Sequence, residues 1–205
     1  MQTFEQLEYG QYYHIYNHGV GERDLFRDPN NYEYFLGIYD KYISPVADTY
    51  AWVLMPNHFH LLVRIKDESE VVLNLTGFEN LSGLKNVKPL HQHFSNLFNA
   101  YTKAFNKYHE TRGALFERPF KRKLVDNETY LKQVTLYIHN NPIHHGFCSH
   151  PLEYPWSSYL TCTSTKKTKL KRDEVIRWFD GEANFGSKHK EKLELDEMEF
   201  WLELK

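Results

Sequence analysis

Residues 58–65 alternate strictly. Phe59, Leu61, Val63 and Ile65 fall on one side of an extended strand, and His58, His60, Leu62 and Arg64 on the other. The first side is wholly apolar and can only face a core. Upstream, residues 50–55 form another apolar run closed by Pro56-Asn57, so the two runs predict an antiparallel hairpin. Residues 11–18 (Gln-Tyr-Tyr-His-Ile-Tyr-Asn-His) are rich in aromatic and β-branched side chains and predict a further strand, broken by Gly19 and Gly21. Residues 115–125 predict a fourth.

Helical signals lie between these runs. Asp28-Pro29 pairs an N-cap side chain with proline at the first helical position, and Tyr32, Phe35, Leu36, Ile38, Tyr39 and Ile43 follow at helical period. From residue 90 to about 111, Phe94, Leu97, Phe98, Tyr101, Ala104, Phe105 and Tyr108 recur at the same period, ending at Arg112-Gly113. Asp126-Asn127 caps a short helix over residues 128–140, which Pro142 is expected to stop. Residues 66–90 are polar, carry Gly77, Gly83 and Pro89, and read as a loop or insertion. The order β-α-β-β-α-β, then another helix, predicts an α+β chain of ferredoxin-like (RRM-like) topology: an antiparallel sheet with helices on one face.

The chain's 205 residues suit one domain, here residues 1–160, with a basic and helical extension over 161–205. No apolar run approaches a membrane span and the N-terminus lacks a signal-peptide apolar segment, so no membrane partner is expected. Cys148 and Cys162 build no disulfide framework, which fits a reducing cytoplasm. The net charge of -2 argues weakly against nucleic acid, but its distribution matters more. Lys103, Lys107, Arg112, Arg118, Lys121, Arg122 and Lys123 meet only Glu110 and Glu117. A second basic cluster comprises Lys166, Lys167, Lys169, Lys171 and Arg172, while acids gather at residues 67–70 and beyond Glu191. The plainer reading of this polarity is a solvated helix face and a basic loop.

His58 and His60, two apart on a strand, project the same way and can grip one ion. His91 and His93 repeat the spacing but open a helix, where residues two apart diverge by about 200°. Two histidines alone are a weak metal signal, since a site needs a third ligand and open positions. Tyr137 and Asn141, one turn apart on the last helix, would approach the histidine face. A tyrosine in an amphipathic helix is ordinarily core packing with a hydrogen-bonded tip.

Four motifs then act together: Asn17-His18-Gly19 after an aromatic strand; Met55-Pro56-Asn57-His58-Phe59-His60-Leu61-Leu62-Val63; Tyr137-Ile138-His139-Asn140-Asn141-Pro142; and Tyr154-Pro155-Trp156-Ser157-Ser158. In this order and spacing, from about residue 10 to 160, the chain resembles the REP-associated tyrosine transposases of the insertion sequence 200-like, single-tyrosine HUH transposase superfamily. The resemblance implies a DNA nicking and joining enzyme acting on single-stranded DNA hairpins of repetitive palindromic elements, with residues 1–160 as its catalytic domain. It implies His58, His60 and Asn141 as metal ligands, Tyr137 as nucleophile, and Mg²⁺ or Mn²⁺ as cofactor, in a cytoplasmic monomer or homodimer. Imidazole ligands by themselves favour zinc or another transition ion. His18, Arg112, Arg118, Lys121, Arg122 and Lys123 are the expected DNA contacts. His18 stands where relatives frequently carry arginine, and His144-His145 where they often carry Arg-Ala, so sequence preference for DNA is expected to differ.

Two rival readings remain at this point. One is a non-catalytic single-strand-binding module on the same sheet. The other is a metal-dependent hydrolase that forms no tyrosyl link. In the extension, residues 171–179 predict a short amphipathic helix that docks on the core or helps hold a hairpin, and the acidic residues 193–205 are expected to pack rather than touch DNA.

Overall fold

Strand β1 (Tyr12–His18) lies at the centre of a four-stranded antiparallel sheet of order β2-β3-β1-β4, where β2 is Ala47–Met55, β3 is His58–Ile65 and β4 is Lys121–Val125. This computed structural model describes residues 5–76 and 88–191. The crossovers are α1 (Pro29–Ile43) and α3 (Leu90–Tyr108), giving the β-α-β-β-α-β order that the sequence pattern predicts. After β3 comes α2 (Glu68–Thr76), and after β4 come α4 (Glu128–His144), α5 (Tyr159–Cys162), α6 (Arg172–Trp178) and α7 (Glu182–Lys188).

The apolar face of the alternation is buried as expected. Phe59, Leu61, Val63 and Ile65 meet Tyr13 and Ile15 of β1 and Phe35, Phe94, Phe98 and Tyr101 from α1 and α3. Asp28 caps α1 by accepting the Asn31 N–H through its side chain. The position after β1 must be glycine: a Cβ on Gly19 would stand 1.8 Å from the Arg23 carbonyl oxygen.

The reverse face is not left bare. There α4 crosses the sheet, and Val134, Tyr137 and Ile138 join Val53, Met55 and Leu62 in a second core completed by Val175, Phe179 and Phe185 of the extension. Tyr154-Pro155-Trp156-Ser157-Ser158 covers edge strand β2: Leu54 donates its N–H to the Trp156 carbonyl, Ser158 N–H to the Trp52 carbonyl and Tyr154 O–H to the Leu54 carbonyl. Residues 171–179 dock, since Val175 is buried, Lys171 N–H bonds the Thr49 carbonyl and Trp178 stacks on Tyr50 at 5.0 Å. The acidic segment 193–205 lies outside the described residues.

Three expectations about element bounds are corrected. Residues 66–90 are not wholly a loop, because 68–76 form α2, with Val71 and Val72 buried; residues 77–87 lie outside the described part. Strand β4 begins at Lys121 rather than residue 115, because Pro119 has no N–H to give a ladder. Helix α4 runs through Pro142 to His144 instead of stopping at residue 140. Its last turn is closed beyond the proline by bonds from His145, Gly146 and Phe147 N–H groups to the Asn141, Ile143 and Pro142 carbonyls.

Phe59 packs its ring against Phe35, Phe98 and Phe116 at centroid separations of 5.7, 5.5 and 6.1 Å. Replacing Phe59 by alanine is expected to remove about 3–5 kcal/mol of stability, read as a lower denaturant midpoint with unchanged slope. A loss under about 1 kcal/mol would contradict this description of the core.

Candidate active site

The β1–β3 register sets His18 opposite His58, Tyr16 opposite His60 and His14 opposite Leu62. Partners in an antiparallel pair share a face, so three imidazoles from β1 and β3 gather beside His60. The His18 and His58 rings stack at 5.0 Å, and His58 and His60 meet edge to face at 5.2 Å. His14 Nε2 lies 3.0 Å from His60 Nδ1.

Helix α4 supplies the rest. Asn127 caps it by accepting the Tyr130 N–H at 2.9 Å. Asn141 Oδ1 then comes within 3.0 Å of His58 Nε2, and the Tyr137 ring stands edge-on to His60 at 5.2 Å and to His14 at 6.1 Å. The four side chains expected to carry chemistry thus gather at one place. The cluster is closed to solvent, with His58, His60, Asn141 and Tyr137 all buried and Tyr137 only 4% exposed.

Burial keeps the imidazoles neutral. Loss of hydration pushes His14 and His58 down to about 3, and the Asn141 contact raises His58 only in part. His60 is held well below its ordinary value by burial first and by the neighbouring histidines second. A neutral imidazole carries one N–H, yet His58 faces two carboxamide oxygens, Asn57 Oδ1 at 2.7 Å from Nδ1 and Asn141 Oδ1 at 3.0 Å from Nε2. With the proton on Nδ1, the Nε2 lone pair points at an oxygen lone pair. With the proton on Nε2 instead, His58 donates to Asn141 Oδ1, and turning the half-buried Asn57 amide over lets its Nδ2–H donate to His58 Nδ1, so both contacts are satisfied.

A shared cation would be a second way to satisfy His58 Nε2 and Asn141 Oδ1. Adjacent ligands about 2.1 Å from an octahedral ion stand roughly 3.0 Å apart, the spacing of His58 Nε2 and Asn141 Oδ1. That spacing, which is also the length of an ordinary hydrogen bond, is compatible with His58 and Asn141 sharing an ion, with His60 beside them as a third donor. Among the described residues no three His, Cys, Asp or Glu side chains are arranged to hold a metal.

The expected DNA contacts divide. His18 is half-buried beside His58. Lys121, over the Tyr16 ring at 5.8 Å, and Lys123, paired with His14, share the histidine face. Arg122 pairs with Ile15 on the opposite face, lies over Phe120 and bonds the Glu5 carbonyl. Arg118 bonds Asn99 in the middle of α3, and the exposed Arg112 lies just beyond the C-terminal end of that helix. Three residues of the second basic cluster are engaged: Lys169 pairs with Asp40, Lys171 with Asp48, and Arg172 donates to the Ser164 and Lys166 carbonyls.

Sequence reasoning missed His14. Its signal was present: His14 and His18 share the parity of one strand face, but pairing with β3 had to be known before that parity pointed at His60. It also missed the chain His189–His139–Ser158 behind α4. His189 Nδ1–H donates to the Phe185 carbonyl (2.7 Å), so its Nε2 accepts from His139 Nδ1–H (2.9 Å); His139 Nε2 then accepts from the Ser158 hydroxyl (2.8 Å), whose oxygen accepts the Trp52 N–H (2.8 Å).

No family model matches the chain, and no curated protein matches it. The fold is that of a solved structure described as a REP-associated tyrosine transposase bound to a REP hairpin. The TM-score is 0.61 at 14% identity, covering 80% of this chain and 86% of the other. No helix among the described residues is long and apolar enough to cross a membrane.

The depressed imidazoles fix a pH dependence. Their folded values lie below the unfolded value of about 6.5, so the unfolded chain holds more protons in between, and stability is complete above that value and lost as pH falls toward 3–4. Denaturant unfolding at pH 7, 6, 5 and 4 is expected to show a midpoint falling steadily below pH 6.5. A flat midpoint to pH 4 would mean that His14, His58 and His189 are solvated.

Proposed function

We propose that this protein is a member of the single-tyrosine HUH superfamily, a metal-dependent nicking and joining enzyme that acts on single-stranded DNA at hairpins. The observation that carries this reading is the convergence of His58, His60, Asn141 and Tyr137 from β3 and α4, with Asn141 Oδ1 3.0 Å from His58 Nε2.

Tyr137 is the proposed nucleophile. Its phenolic oxygen attacks the phosphorus of the scissile phosphodiester, a 5′-phosphotyrosine bond forms, and the bond to the 3′ oxygen breaks. The phenol gives up its proton and the departing 3′ oxygen takes one, so the step is balanced. The new ester keeps the energy of the bond that was cut, so a free 3′-OH can reverse or redirect the reaction without a nucleotide cofactor. A divalent ion on His58, His60 and Asn141 would supply charge stabilisation to a phosphoryl oxygen. A phenol of pKa about 10 is mostly protonated at neutral pH and needs such help to attack. Lys121, Lys123 and His18 line the open edge of the same face and suit the DNA backbone. With Tyr137 buried, α4 or the tyrosine side chain must swing outward before a phosphate reaches the oxygen.

The same burial favours one alternative, a single-strand-binding sheet with no chemistry. End-labelled hairpin oligonucleotides with Mn²⁺ separate the two on a denaturing gel. Wild type is expected to give protein shifted by attached DNA, abolished by a chelator and by Tyr137→Phe, with hairpin binding by Tyr137→Phe retained. Binding without any adduct from wild type would leave only the binding module. Multiple-turnover cutting that survives Tyr137→Phe would instead mark a hydrolase.

A further inference from the structure

We propose that His14 is a positioning residue for this site: it accepts the Nδ1–H of His60 through its own Nε2 and so keeps the His60 Nε2 lone pair free for the ion. The inference rests on the metal-dependent reading above and deepens it.

His14 is fully buried, and its one hydrogen bond goes to His60, at 3.0 Å. Its Nδ1 has no partner. Tyr16 stacks on its ring at 4.9 Å and 18°, and the His60 ring lies within 10° of its plane, so neither imidazole is free to turn away. One proton occupies the shared N···N contact, and its side decides what His60 can do. With the proton on His14, His60 carries its own at Nε2 and has no lone pair to offer there. With the proton on His60 Nδ1, Nε2 is a ligand. Ligand histidines generally donate their other ring N–H to an outer partner that fixes the tautomer. The partner is usually a carboxylate or carbonyl, and here the position is filled by an imidazole.

The second arrangement has a cost that explains why His14 does nothing else. It leaves the N–H of His14 on Nδ1, the buried atom without a partner. An ion on His60 offsets this by making its Nδ1–H a stronger donor. Proton position and ion occupancy are therefore linked.

The test is Mn²⁺ binding to the full chain without DNA, followed by electron paramagnetic resonance. Compared with wild type, His14→Phe, which cannot accept, is expected to weaken Mn²⁺ binding roughly 10–100-fold, and His14→Gln, whose amide oxygen can accept, to recover most of that loss. As a measurement free of any variant, ¹⁵N spectra of wild type with diamagnetic Zn²⁺ are expected to show His60 protonated at Nδ1 and scalar-coupled across the hydrogen bond to His14 Nε2. Mn²⁺ binding by folded His14→Phe equal to wild type overturns the role of His14, as does a His60 Nδ1–H with no coupling to His14. If wild type itself binds no Mn²⁺, the metal-dependent reading fails, and the proposal with it.

Discussion

The antiparallel register between β1 and β3 is the constraint on which the rest of the molecule depends. Because side chains alternate with a period of two, a slip of one residue would send His14, Tyr16 and His18 into the phenylalanine core and expose Tyr13 and Ile15 to the polar cluster. The apolar set of β3 excludes that slip: Phe59, Leu61, Val63 and Ile65 have nowhere else to be buried than under α1 and α3. The histidine face is thus specified by the face it is not. Once that is set, α4 needs only to cross the reverse side for Tyr137 and Asn141 to arrive one turn apart beside the imidazoles.

Two buried histidine networks touch α4, and they differ in a way that separates support from function. In the His189–His139–Ser158 chain every ring nitrogen has a partner of the right kind, and the directions follow uniquely from the Phe185 carbonyl to the Trp52 N–H. Such a network specifies a unique packing of the extension against α4 and has no vacancy for a ligand. The cluster on the sheet is different. His58 is flanked by two acceptors, while His14 Nδ1 and Asn141 Nδ2 have no partner. Natural interiors tolerate few such groups, and those that persist call for an explanation in function.

Much of this was legible along the chain because the strongest signals were local. Strict alternation over residues 58–65, the Asp28-Pro29 start and the recurrent aromatics of α3 each report burial directly, and they gave the topology. The motif residues Tyr137 and Asn141 could be placed on one helix face without coordinates. What could not be read depended on partners far away in sequence. The nine residues of α2 are too few to display a period, and the burial of Val71 and Val72 depends on tertiary neighbours that the local pattern does not reveal. Pro142 is a stop signal that burial of Asn141 and Pro142 overrides. Arg122 sits in a basic run of three, but the pleat sends it away from its neighbours toward Phe120, which no count of charge reveals.

Were the proposed ion bound, the electrostatics of the cluster would favour an anionic visitor over a resident counter-charge. Two imidazoles and a carboxamide add no negative charge, and the nearest cations on that face, Lys121 and Lys123, belong to the adjoining strand. A divalent ion among neutral ligands in a site closed to water would be poorly compensated on its own. On the proposed reading, a phosphodiester drawn to the lysines would supply the missing charge. On this view the neutral ligand set is a condition for coupling. On the proposed reading the ion binds alone and more tightly with DNA, and the closed state, with Tyr137 packed edge-on against His60, has to open for the phosphate to reach the phenol.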